Sequence, residues 1–366
     1  MAKTALQRPV KVQRRHLYRG MTMFKRFAGT HLVAFILLAV PTASAIGQTK
    51  LQHSPEEPVV SVTLLGTAGG PPPHINESQP ATLLRAGGKT YLIDSGENVG
   101  QQLVRAGSSP RAVNVTFLTH LHWDHVLGLG YLMASGWMLG RQTPMPIWGP
   151  PGTSEYVSRE LAALQIGEDI FRPQAPGRPP LASMFPVHEA NVGSAQQIYD
   201  DGTVRVLAVA NTHYAQQHAE PHSYGVDKSY SYRFETAKGS VTITGDTGPS
   251  EAVERLAKGS DILVSEICDF DSIKRAVLRA TPNANVDALL EHLHSQHLSA
   301  REVGKLAQSA GVKTLVLTHY VIGPDFDPDD FTAQIRPYFP HGKIIVGRDL
   351  VQVALDGDAS AIESTP

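Results

Sequence analysis

Short apolar runs rich in β-branched residues recur along the chain, and most stop abruptly at a glycine turn or a polar side chain. Each such run reads as a buried strand. The first is Val59–Leu65, which ends in Gly66-Thr-Ala-Gly-Gly70 and then three prolines. Ala81–Arg85 and Thr90–Ile93 flank a turn at Ala86–Lys89 as a hairpin, and the second of them stops at Asp94-Ser-Gly96. Val113, Val115, Phe117 and Leu118 mark a strand that leads into His120, and Met145–Trp148 marks another. The second half repeats the pattern with Val204–Ala210, a hairpin of Tyr230–Phe234 and Ser240–Thr244, Ile262–Val264 and Lys313–Thr318.

Helical periodicity falls between these runs, over Val99–Arg105, Glu155–Leu164, 249–258, 284–293 and 299–310, with an apolar and therefore buried helix at Val126–Leu139. Residues 167–186 are Pro-rich and irregular, and read as a loop covering a site or as a surface excursion. Two successions of strands followed by helices predict an α/β (α+β) chain. The expected architecture is a four-layer αββα sandwich with two internal mixed β-sheets, not a doubly wound parallel sheet.

The strand ends carry the chemistry. His120, His122, Asp124 and His125 fall within six residues, and burying four such groups unpaired would be costly. In a turn leaving a strand, His120 and His122 can share one face while Asp124 and His125 turn aside, which suits two neighbouring divalent ions. His213, Asp246 and His319 end three later strands, and loops at one edge of a sandwich converge. A carboxylate such as Asp246 can offer one oxygen to each ion and leave room for a shared hydroxide. Two ions roughly 3.5–4 Å apart can then activate water and polarise an ester together. No serine sits in a Gly-x-Ser-x-Gly elbow, and this chemistry needs none.

Neighbouring residues keep two readings at this stage. Asp94 is a helix cap or the partner of a metal-bound histidine. His218 and His222 compete with His213 or line a pocket. Cys268 reads as a buried structural thiol, Glu266 as a carboxylate behind the ligands, and His292 and His294 as surface groups.

The N-terminus changes the charge picture. Eight basic and no acidic residues precede position 45, with an apolar run Leu32–Val40 followed by Ala43-Ser-Ala45. This pattern predicts a signal peptide at 1–45 cut after Ala45, too short to span a membrane, with an uncleaved anchor as the alternative and Met1, Met21 or Met23 as the start. A flexible leader at 46–57 and a single catalytic domain at 58–366 would follow. The chain is formally −2, so loss of the eight basic residues leaves −10. An acidic, exported protein, periplasmic or secreted, is poorly suited to a phosphate backbone. The single cysteine excludes an internal disulfide.

Thr119-His-Leu-His-Trp-Asp-His125, with Gly245-Asp-Thr247 and Thr318-His319, resembles the metallo-β-lactamase superfamily. Leu64–Gly70, Asp94–Glu97, Tyr232–Thr236 and His297-Leu-Ser299 resemble its ribonuclease Z and arylsulfatase-like branch. The resemblance implies one metal on His120, His122 and His213, a second on Asp124, His125 and His319, and Asp246 bridging them. Zinc is the implied metal, with manganese or iron also fitting the His/Asp shell. Asp124 and His297 are implied to be catalytic, His297 as proton donor to the leaving group. The branch often has a His before Glu266, where this chain has Ser265.

The expected function is hydrolysis of a small phosphodiester or sulfate ester. The alternatives are tRNA 3′ processing, a lactonase or β-lactamase, and a non-catalytic metal-binding module. Against the tRNA reading, no inserted Gly/Pro-rich or basic arm stands between Asp124 and His319. A small-molecule ester is the expected partner, a homodimer is open, and no stable membrane span remains after cleavage.

Overall fold

The fold is that of a computed structural model, which describes residues 60–70, 72–215 and 221–362. The expected signal peptide, the leader and His218 lie outside these residues. In chain order, β1 (Ser61–Gly66), β2 (Ala81–Ala86), β3 (Lys89–Ile93), β4 (Val115–Phe117), β5 (Ile147–Gly149) and β6 (Val187–Glu189) lie side by side in one sheet. Seven strands make the second sheet: β7 (Gln196–Asp200), β8 (Arg205–Ala210), β9 (Tyr230–Thr236), β10 (Gly239–Ile243), β11 (Ile262–Cys268), β12 (Thr314–Val321) and β13 (Lys343–Val346). The chain then returns to the first sheet with β14 (Val351–Ala354) beside β1, and β15 (Ala359–Ala361) at the edge. Both sheets are mixed: β1 to β3 and β7 to β10 pair antiparallel, whereas β3 to β6 and β10 to β13 pair parallel.

The period-two alternation of strand side chains explains the layers. Leu64, Leu84, Tyr91, Ile93 and Phe117 meet Tyr232, Phe234, Val264 and Val316 between the sheets. Their neighbours Leu65, Leu83 and Leu92 face the other way. There they pack under α1 (Val99–Arg105), α3 (Leu129–Met138) and α4 (Thr153–Phe171), with the short α2 (Trp123–Val126) leading into α3. Leu263, Leu315 and Leu317 likewise pack under α5 (Glu251–Ala257), α8 (Ala300–Ala310) and α9 (Phe331–Ile335). A strand buried on both faces is apolar throughout, which is why these runs read so clearly. The four-layer sandwich is the one the sequence predicts.

Three local expectations are corrected. The helix expected at Val126–Leu139 starts at Trp123 and breaks into two, and Leu127, Tyr131 and Leu139 are exposed, so only one face is buried. Residues 167–186 do not form a loop over the site. α4 continues to Phe171, and the rest packs beneath α3, with the Trp137 indole donating to Pro179 O and Leu181, Met184 and Phe185 in the core. An additional helix, α6 (Phe270–Ala280), precedes the expected α7 (Val286–Gln296), and the two project as a pair between β11 and α8.

One polar clamp joins the sheets. Asp201, in the β7–β8 turn, accepts from Lys89 Nζ and Tyr91 OH on β3 at 2.8 Å each, and from the amides of Thr203 and Val204. Burial raises the pKa of this carboxyl, but the Lys89 ammonium and the amide donors outweigh it and hold it below the usual carboxylate range. Asp201→Ala leaves the buried Tyr91 hydroxyl unpaired and is expected to cost about 2–3 kcal/mol, read from urea unfolding at pH 7. Because the folded-state pKa is depressed, the ionic share is complete at neutral pH and fades as the pH falls below about 4. Wild type and variant should therefore converge in acid.

Candidate active site

β4 ends at Phe117, and the next eight residues, Leu118 to His125, hold the core of the site. Asp94, which ends β3, reaches across: its Oδ1 accepts from the Thr119 amide (2.7 Å) and its Oδ2 from the Thr119 hydroxyl (2.8 Å) and from His125 Nδ1 (2.9 Å). Asp94 sits at φ 60°, a left-handed conformation that costs an Asp little compared with a branched residue. Asn98, not Asp94, is the residue before α1, so the helix-cap reading is replaced by the histidine-partner reading. The Thr119 hydroxyl, having donated to Asp94, accepts from His120 Nδ1 at 3.0 Å. His213, three residues beyond β8, donates Nδ1–H to Gln296 O at 3.0 Å. In all three histidines the Nδ1 proton is engaged, so each Nε2 presents a lone pair inward.

These lone pairs converge in two groups. His122 Nδ1 lies 3.1 Å from both His120 Nε2 and His213 Nε2. His125 Nε2 and His319 Nε2 are 3.2 Å apart, and Asp124 Oδ2 lies 3.5 and 3.4 Å from them. Asp246 stands between the groups. Its Oδ1 is 3.4 and 3.2 Å from His125 and His319, and its Oδ2 is 3.9 and 4.0 Å from His120 and His213. Gly245 makes this approach feasible: it sits at φ 57°, and a Cβ there would meet Thr119 Cβ and Tyr230 O at 2.9 Å each.

His319 is aimed by a local irregularity. The β11–β12 register shifts between Ser265 and Ile267, and His319 sits opposite at φ 48°. A bulge of this kind re-aims side chains, and here it turns Glu266 and His319 to the same side.

Burial lowers His120, His122 and His213, the last to about 3, so the first group is three neutral imidazoles. In the second group burial also opposes the charge of His125, but Asp246 and Asp124 outweigh it and raise the imidazole. The lone pairs of neutral imidazoles facing one another repel unless a cation lies between them. Asp246 Oδ1 is buried without a hydrogen-bond partner, an arrangement that is costly as it stands. The donor set, nitrogen with two carboxylates, fits two borderline divalent ions. Asp94→Ala frees His125 to turn, and metal affinity at the second group is expected to fall about 10–100-fold, measured by chelator competition.

His297 follows α7 and is buried. Its Nδ1 contacts Glu266 Oε2 at 2.8 Å, and Glu266 Oε1 accepts from the Thr247 amide. Burial disfavours the imidazolium, but the Glu266 carboxylate outweighs it and raises His297 to about 9. A His297 nitrogen, a His213 nitrogen and an Asp246 oxygen lie within 4.8 Å of one another.

Of the remaining residues, Cys268 is buried at the end of β11, and its thiol is pushed up by burial. His292 and His294 are exposed, His294 lying over Phe270. His222 is exposed and pairs with Asp227, and is not a member of either group. Sequence reasoning missed Thr119, Gln296 and Tyr214. Gln296 acts through a backbone carbonyl and so leaves no sequence signal. Tyr214, which lies 5.1 and 5.0 Å from the His122 and His213 rings, could have been flagged by its place beside a strand-end histidine.

Residues 89–320 match the β-lactamase superfamily domain. Ribonuclease Z of Mycobacterium sp. (strain KMS) is 35% identical over 304 residues, covering 81% of this chain and 96% of that protein. Among solved structures, the short form of human tRNase Z superposes with a TM-score of 0.57 at 19% identity, covering 81% of this chain and 99% of that one. The metallo-β-lactamase fold protein YhfI from Bacillus subtilis gives 0.56 at 17% identity, covering 83% and 99%. Those two likenesses speak to the fold. The domain match and the identity to ribonuclease Z carry the rest: the chain belongs to the metallo-β-lactamase superfamily, on its ribonuclease Z branch, as a metal-dependent hydrolase.

Proposed function

We propose that this hydrolase cleaves phosphodiester bonds, with an RNA 3′ end as the substrate class its relatives' shared name favours. The observation that carries phosphodiester chemistry is Asp246 standing between two converging donor groups, with the His297–Glu266 pair beside them. His120, His122 and His213 would hold one ion and Asp124, His125 and His319 the other, with Asp246 placed between the two groups. Two divalent ions, when bound, supply an activated water and neutralise charge building on the phosphoryl oxygens. Asp94 and Gln296 O fix the rings of His125 and His213. His297, kept protonated by Glu266, delivers a proton to the departing oxygen.

A small phosphodiester is the second reading, and a specific observation favours it. β9 and β10 are joined by the two-residue turn Ala237-Lys238, and no inserted arm stands between His213 and Asp246 among the described residues. The −10 left after removal of residues 1–45 points the same way. Among the described residues no helix is long and apolar enough to cross a membrane. Export on residues 1–45 belongs to this second reading, and cell fractionation tests it. A periplasmic enzyme would not meet tRNA precursors.

The deciding experiment assays metal-loaded protein lacking residues 1–45 on a precursor tRNA with a 3′ trailer, bis(p-nitrophenyl) phosphate, an aryl sulfate and a lactone. Cleavage of the precursor, weakened by salt and stopped by EDTA, supports the RNA reading. Turnover of the chromogenic diester alone supports the second reading. Turnover confined to the sulfate or the lactone overturns both.

A further inference from the structure

We propose that Tyr224, braced by His222, is a stacking platform for a planar aromatic group carried by the phosphate substrate, at the outer edge of the His120–His122–His213 group. The inference rests on the phosphodiesterase reading and names the substrate feature that the site selects. Two tyrosines, Tyr214 and Tyr224, lie among the described residues between His213 and β9. The Tyr214 ring covers His122 and His213, and its hydroxyl is turned toward the Leu121 backbone. Leu121 sits between two ligand-type histidines and is also the neighbour of Tyr224. A side chain added at Gly152 would meet Leu121 Cδ1 and Tyr224 Cδ2 at 3.0 Å each. Tyr224 therefore shares with Leu121 the space in front of Gly152, beside the turn that carries His120 and His122.

Its orientation is built. His222 and Gly225 exchange backbone hydrogen bonds at 2.9 and 3.0 Å, forming a tight hairpin. The His222 ring stacks on Tyr224 with centroids 4.7 Å apart and planes 18° apart, and Asp227 holds His222 Nε2 at 3.1 Å. Tyr224 nonetheless keeps 36% of its surface exposed. An aromatic ring held by a stacked neighbour, with an edge against Gly152 and the rest of its surface exposed, is prepared to stack at little entropic cost. The only Lys or Arg among the described residues of this loop is Lys228, and its ammonium donates to Val192 O at 2.9 Å. Arg159 on α4, the cation that acts on Tyr224 from outside the loop, is paired with Glu155 at 2.8 Å. Recognition at this rim is therefore chiefly aromatic, and base–aromatic stacking is tolerant of which base is offered.

The test measures binding of uridine 5′-monophosphate, phenyl phosphate and methyl phosphate to the zinc-loaded protein by calorimetry. The first or second should bind at least about tenfold tighter than methyl phosphate, and whichever gains more identifies a nucleobase or an aryl group as the source. Tyr224→Ala should erase the preference and Tyr224→Phe should keep it, with methyl phosphate unchanged in both. If Tyr224→Ala fails to retain zinc, Tyr224→Leu keeps the packing against Gly152 and removes the ring. No preference in the wild type, or one that survives loss of the ring, overturns the platform. Selective binding without hydrolysis of any phosphodiester removes the functional reading and leaves the platform standing.

Discussion

Asp246→Ala is expected to lower kcat by about 10²–10³-fold, the loss that follows removal of one preorganised electrostatic group at a reacting centre. The geometry says why no neighbour can substitute. Asp246 is buried, with Oδ1 toward His125 and His319 and Oδ2 toward His120 and His213. Asp124 serves only the second group, and Glu266 is committed to His297 and the Thr247 amide. Without the shared carboxylate each ion loses an anionic ligand, and nothing fixes their separation. The zinc-dependent rise in Tm should shrink together with turnover, since stabilisation by a ligand follows its affinity. Turnover within tenfold of wild type would mean that one ion suffices. Loss of both turnover and the metal-free fold would recast Asp246 as structural, against the enzyme reading.

The parts of this site legible in the sequence are those where a strand ends in a ligand. His120 to His125 follow an apolar run directly, and His213, Asp246 and His319 each close another. A strand buried on both faces leaves an unmistakable apolar signature, and a polar group at its end is out of place unless it has work to do. What lay outside that logic was hidden for identifiable reasons. Asp94 after a strand suits a cap as well as a histidine partner, and only its φ of 60° and its contact with His125 separate the two. The shared turn of Glu266 and His319 comes from a register shift between β11 and β12, and pairing register is a non-local property. α6 was missed although Phe270, Ile273, Val277 and Leu278 recur at helical spacing, so its stripe was there to be read. The prolines after Phe171 suggested an irregular loop and hid a segment that fills the core below Trp137.

His297→Ala is expected to cost roughly 10²–10³-fold in kcat on a diester with an alkoxide leaving group and almost nothing on bis(p-nitrophenyl) phosphate. An alkoxide departs poorly without a proton, whereas p-nitrophenolate is stable as an anion and needs none. Dependence on the leaving group therefore separates proton donation from a role in holding the fold, because a structural defect would lower both rates alike. Glu266→Gln should give a milder form of the same pattern. The amide keeps a hydrogen-bonding group near His297 Nδ1 but removes the negative charge that raises the imidazole to about 9. Less of His297 is then protonated at a given pH, and the alkaline limb of the rate profile for the alkoxide substrate should move to lower pH. Equal losses on both diesters in His297→Ala, with the alkaline limb unmoved in Glu266→Gln, would assign the pair to positioning His213 through Gln296, the residue that precedes His297 and whose carbonyl accepts from His213 Nδ1.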